Sequence, residues 1–148
     1  MSTLWMYLFI VLGGMMQACG GPMNAQLRNS LRNPWLASTI SFAVIVAFFI
    51  CVFVMLPRPL PSVKDLAQMP WWAPLGGLIG AVQVFAGLTL VDRVGAGPFT
   101  GVTVTAALAA SIAIDHFGLF HMSVHSAGPG RMIGSVLMIA GIALIARN

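Results

Sequence analysis

Long apolar runs, broken by short polar or proline-glycine clusters, set the pattern of this chain. The first run begins near Leu4 and stays apolar through Met16, then meets Gly20-Gly21-Pro22 and a mixed stretch to Arg32. Pro22 cannot donate a backbone hydrogen bond to the preceding turn, and two glycines loosen it further. The pattern therefore predicts one helix over residues 4–32, kinked or broken at 20–22, whose second half leaves the membrane. Leu27 and Leu31, four apart, keep an apolar stripe on that half. The second run, 35–56, is rich in Phe, Val and Ile, with its hydroxyls (Ser38, Thr39 and Ser41) at the start. Pro57-Arg58-Pro59-Leu60-Pro61 ends it, and the polar stretch to Met69 predicts the longest loop. Trp71-Trp72 predicts an interfacial aromatic anchor leading into the third run, 72–91. Asp92-Arg93 and Gly95-Ala96-Gly97-Pro98 predict a short turn before the fourth run, 98–114, which closes at Asp115-His116. A loop from Phe117 to Gly130 then precedes the fifth run, 132–146.

A bilayer crossing takes about 20 apolar residues, so the pattern predicts five crossings. The fifth run has about fourteen strongly apolar residues, and four crossings with a re-entrant or interfacial tail is the alternative. Composition decides the solvent. Hydrophobic residues make up 59% and charged residues 7%, with mean hydropathy +0.95. Too few polar groups exist to cover a water-facing surface, so lipid meets most of the outer face. The expected fold class is an all-α integral membrane bundle, with residues 1–148 forming a single transmembrane domain. The first run has neither a basic flank before it nor a small-residue cleavage site after it, which favours a retained helix over a signal peptide.

The net charge of +4 comes from seven Lys/Arg against three acids, scattered along the chain. Without a basic stripe or cluster, nucleic acid is not an expected partner, and the basic residues read as flanks that meet lipid head groups. Cys19 and Cys51 fall in apolar runs without metal or CxxC spacing, and read as buried small hydrophobes. Glycines recur at helical spacing, as in Gly76 or Gly77 with Gly80, Gly97 with Gly101, and Gly130 with Gly134. In lipid such small-residue faces allow close backbone approach between helices.

With five crossings, Arg58, Lys64 and Arg131 fall on one side of the membrane, and Arg28, Arg32, Arg93 and Arg147 on the other. Orientation follows an excess of Lys/Arg on the cytoplasmic side, and here the excess is one residue. So small a bias predicts insertion in both orientations and an antiparallel, dual-topology homodimer, an inverted repeat made from two chains. A single fixed orientation is the alternative.

Three stretches carry a likeness: Gly20 to Arg28 (GGPMNAQLR), Trp71-Trp72 leading into Gly76-Gly77-Leu78-Ile79-Gly80, and Asp115-His116-Phe117-Gly118. In order and spacing the chain resembles, over nearly its whole length, the small YdcZ-type inner-membrane family of the drug/metabolite transporter superfamily. The resemblance implies a half-size bundle of about five helices, a transport role, and an address in the bacterial inner membrane. It also implies kinship with the small multidrug resistance exporters, which carry a glutamate in their first membrane helix that binds cations and protons in turn. This chain has no glutamate and no acid before Asp65, so that chemistry lacks its carboxylate.

The polar residues within or beside the runs are the site candidates. Arg28 leads, four residues after Asn24 and within reach of Gln17 if the helix bends back. A helix beginning at Pro22 would add unpaired backbone donors that favour an anion or a carbonyl. The alternative is that Arg28 and Arg32 reach lipid phosphates. Gln17 and Gln83, inside the first and third runs, would bond a solute or a neighbouring helix. Asp115 and His116 form a possible proton relay, or Asp115 pairs with a base. His121 and His125 have no third ligand, so neither a metal nor a cofactor is expected, and no acid or histidine at membrane depth could activate a nucleophile. An enzyme is not expected. The reading is a transporter of a small amphipathic, neutral or anionic solute, working by alternating access in an inverted dimer with Gln17, Asn24, Arg28 and Gln83 in its cavity. A non-transporting accessory subunit is the alternative. A channel would need a continuous charged or carbonyl ring that the sequence lacks.

Overall fold

The computed structural model describes residues 4–56 and 58–147, and among these the secondary structure is entirely helical. Pro57, which opens the predicted terminator, lies outside the described residues. Five helices are long and apolar enough to span a bilayer: α1 (Leu4–Leu31), α2 (Pro34–Met55), α4 (Leu75–Val94), α5 (Ala96–Phe117) and α6 (Pro129–Arg147). A short helix, α3 (Val63–Gln68), lies between α2 and α4. The chain divides into two compact units, Met1–Asp92 and Arg93–Asn148.

In the first unit α1 runs through Gly20, Gly21 and Pro22 as one helix, so no second helix starts at Pro22. Of the kink or break expected there, the continuous helix rules out the break. A proline in hydrocarbon forfeits one backbone bond, whereas an open break would expose several unpaired groups to a solvent that cannot bond them. Arg32 ends α1 in the left-handed region at φ 52°, with its amide still bonded to Arg28 O. Asn33 then caps α2, its Oδ1 accepting from the amides of Trp35 and Leu36, and Pro34 begins the helix. This two-residue connection makes α1 and α2 a helical hairpin. Ser41 Oγ donates to Asn24 Oδ1 at 3.0 Å across it. The buried residues of α1 and α2 are both alanines, Ala25 and Ala37, and α4 buries Gly87, Leu88 and Val91.

Large apolar side chains such as Phe9, Phe48, Phe49 and Val54 point outward. Cys19 and Cys51 are exposed as well, against the expectation of burial. Where lipid is the solvent, a small apolar thiol loses nothing by facing outward.

The predicted loop contains α3, whose start is a reciprocal cap. Ser62 donates to Asp65 Oδ2 through both its hydroxyl and its amide, and the Asp65 amide donates back to Ser62 Oγ. Of the predicted anchors, Trp71 is exposed and Trp72 half-buried, in the turns just before α4. The helix α4 continues past the expected turn, so that Asp92 and Arg93 sit in its last turns, and Gly95 at φ 87° makes the stop.

In the second unit α5 extends to Phe117 and is closed by Gly118 in the left-handed conformation, with its amide bonded to Ile114 O. One turn of 3-10 helix follows at Leu119–His121. The small-residue expectation is met at Gly101, where a Cβ would lie 2.8 Å from Ile142 Cγ1 on α6 and closer still to its Cδ1. A Cβ at Gly76, Gly77, Gly80, Gly97, Gly130 or Gly134 would meet nothing within 4 Å.

Two expectations follow. Gly101→Leu should destabilise the protein by about 1–3 kcal/mol through overpacking, and Ile142→Ala should restore much of the loss, as read by thermal unfolding in detergent. For α3, the Ser62 hydroxyl and then its amide hold the Asp65 carboxyl below its usual 3.8. A lowered carboxyl favours the folded turn above that value, and the benefit fades as pH falls through the lower, folded value. Protection factors of the amides across residues 63–68, taken relative to intrinsic exchange, should therefore fall as pH drops below 3.8, and Ser62→Ala should remove that fall.

Candidate functional site

Positions 17, 24 and 28 are separated by seven and four residues, so Gln17, Asn24 and Arg28 share one face of α1. Asn24 is half-buried and spends its carbonyl on Ser41 of α2. Gln17 is exposed and bonds to none of the described residues, and the same holds for Gln83 on α4. No hydrogen bond joins any two of these four candidates among the described residues.

Arg28 instead reaches the end of α4. Its Nη2 donates to Asp92 Oδ2 at 2.8 Å and to Asn29 Oδ1 at 2.7 Å. Its Nη1 makes a longer contact, 3.4 Å, with the Thr89 carbonyl. Asn29 Nδ2 donates to the same Asp92 oxygen at 2.9 Å, closing a three-residue ring. The Arg28 side chain is 24% exposed and that of Asp92 40%, so the pair is partly open to its surroundings. These contacts engage three of the five N–H donors of the guanidinium. The remainder can accept an oxygen ligand, or Asp92 can give up its place to one. Asp92 and Asn29 were not among the sequence candidates. The chain stop at Gly95, rather than at Asp92, was the one available signal, because it lengthens α4 by a turn.

The second unit holds a similar pair. Asp115 Oδ2 accepts from Arg131 Nη1 at 3.1 Å, and the backbone carbonyl of Asp115 accepts from the His125 amide. His116 Nδ1 accepts from the Ala127 amide at 3.3 Å, which requires the proton of a neutral ring to sit on Nε2. These bonds tie the end of α5 to the loop that follows it and to the start of α6. No group of three metal-ligating side chains forms among the described residues.

The family comparison covers almost all of this frame. A family model described as "Putative inner membrane exporter, YdcZ" matches residues 5–144. The chain belongs to the YdcZ family. With five candidate spans among the described residues, this YdcZ-family member is a multi-pass protein of the inner membrane, in a family described as inner-membrane exporters. Neither a curated relative nor a solved structure matches it.

Removing one side of a partly exposed pair leaves the other charge short of a partner. In a double-mutant cycle of Arg28→Ala and Asp92→Ala, unfolding in detergent should return a coupling of about 1 kcal/mol, the upper end for exposed pairs. Asn29→Ala should weaken that coupling.

Proposed function

We propose that this YdcZ-family protein exports a small amphipathic solute, neutral or anionic, by alternating access between two copies inserted in opposite orientations. The observation that carries the solute class is Arg28, a partly open guanidinium at the end of an apolar helix, held by groups that a solute oxygen can displace. Charge placement supports the same class. All three acids, Asp65, Asp92 and Asp115, lie at helix ends, so no carboxylate stands at mid-membrane to exchange a cation for protons. Gln17, Asn24 and Gln83 would contribute neutral hydrogen bonds along the route, while Asp115 and Arg131 would fasten the second unit rather than relay protons.

The inverted dimer is supported by the even spread of basic residues, three against four across the predicted sides. An incomplete half-size bundle would then complete its cavity with a second copy, giving the symmetry that larger transporters carry in one chain.

Proteoliposomes on a solid-supported membrane test both parts in one preparation. Small amphipathic acids should give transport currents, and Arg28→Ala should reduce them at least tenfold. Strong currents from quaternary ammonium compounds alone would contradict the solute class. Cysteines placed at Ser62 and after Asn148 should each label from both faces, and one-sided labelling would remove the inverted dimer.

A further inference from the structure

Within the first unit, an open apolar recess of about 310 Å³ lies between α2 and α4. Trp35, Ser38 and Phe42 line it from α2, and Leu78, Ala81, Val82 and Phe85 from α4. The spacing three, four and seven places each set on one helix face. At one end the Trp35 and Phe85 rings stack with centroids 4.9 Å apart and planes 28° from parallel.

The hydroxyl of Ser38 is the anomaly. Its Oγ is buried and has no hydrogen-bond partner among the described residues. Serines and threonines on helices ordinarily turn the hydroxyl back onto their own helix, as Thr39 does to Trp35 O at 2.9 Å and Thr89 to Phe85 O at 2.8 Å. A buried hydroxyl left unpaired is costly. Water is a poor remedy, because an ordered water needs two to four polar partners and the lining side chains carry only this hydroxyl and the Trp35 indole N–H. A lipid acyl chain would fill the space but carries nothing to bond the hydroxyl.

We propose that this recess binds a planar aromatic group bearing one hydrogen-bonding substituent, of the phenol or indole kind. The flat ring would extend the Trp35–Phe85 stack, and its substituent would pair with Ser38 Oγ. Aromatic pairs of this geometry attract beyond the area they bury, and the volume lies at the small end for ligand pockets. This inference rests on the transport reading only for its purpose, since it assigns the apolar part of the solute; binding itself is measured without transport.

The test uses full-length protein in lipid nanodiscs with Trp5→Phe, Trp71→Phe and Trp72→Phe, which leaves Trp35 as the sole tryptophan. At mildly acidic pH, para-nitrophenol and nitrobenzene serve as quenching probes. Both should quench Trp35 saturably, with para-nitrophenol bound about fivefold more tightly, the value of one neutral hydrogen bond. Ser38→Ala should erase that preference while leaving nitrobenzene unchanged. Ala81→Leu, which fills the recess, should abolish saturation for both probes, and Val82→Phe provides an independent filler should the first variant not fold. Linear quenching that the fillers do not alter would mean partitioning into lipid and would overturn the proposal, as would a preference that survives Ser38→Ala. Saturable binding without any transported acid would sink the transport reading alone, and transport of acids without binding here would sink the recess alone.

Discussion

Hydrocarbon cannot hydrogen-bond, and this constraint shapes every part of the protein. Each backbone group must find its partner within the chain. That is why α1 continues through Pro22, where the loss is a single bond, rather than opening into a loop. It is also why the exits from the helices are closed so tightly. Asn33 supplies its carbonyl to two free amides of α2, and Gly118 turns left-handed to close α5. Hydroxyls follow the same rule: Ser30, Thr39, Thr89 and Ser135 each return a bond to a carbonyl four residues back. Against that background an unpaired Ser38 stands out as a physical exception rather than a surface detail.

The same solvent removes the usual force that packs helices, because a leucine facing lipid gains little by turning inward. Interior positions of the first unit are correspondingly few and mostly small: Ala25, Ala37 and Gly87, with Leu88 and Val91. Neighbour choice falls to directional contacts instead. Asn24–Ser41 joins α1 to α2, Trp35–Phe85 joins α2 to α4, and Arg28–Asp92 joins α4 back to α1. Three different chemistries thus close one circuit among three helices. In the second unit, Gly101 against Ile142 and Asp115 with Arg131 join α5 and its following loop to α6.

What the sequence revealed follows from which signals are local. Apolar run length made the spans readable, and Arg28 stood out as an ion close to an apolar run. The partner of Arg28 did not, because Asp92 lies 64 residues away and no local period links them. The end of α4 was misplaced for a related reason: Asp92-Arg93 looks like a polar turn, yet charged residues belong in the last turn of a helix that ends at the membrane surface. Gly95, with its positive φ, marks the true stop. The capping pair Ser62 and Asp65 was legible in principle as a serine followed three residues later by an acid, but six residues of α3 between prolines and a polar loop carry almost no periodicity. The cysteines were misjudged because burial was inferred from apolarity, a rule that holds in water and not in lipid.

Polarity along the first unit falls off in steps, and that gradient is the argument for an amphipathic solute. At the closed end of the α1–α2 hairpin stand Arg28, Asn29 and Asp92. The Phe85 ring lies seven residues before Asp92 on α4, about 10 Å along the axis, and Trp35 begins just past the Asn33 cap. Beyond that aromatic pair the lining is apolar except for one hydroxyl. A fully charged solute would meet its counter-ion at the rim and then lose its solvation, whereas a wholly apolar one would leave both Arg28 and Ser38 without exchange partners. A molecule with a polar head, a flat apolar body and a single further hydrogen-bonding group, the solute class we propose, would suit each step without a carboxylate at depth.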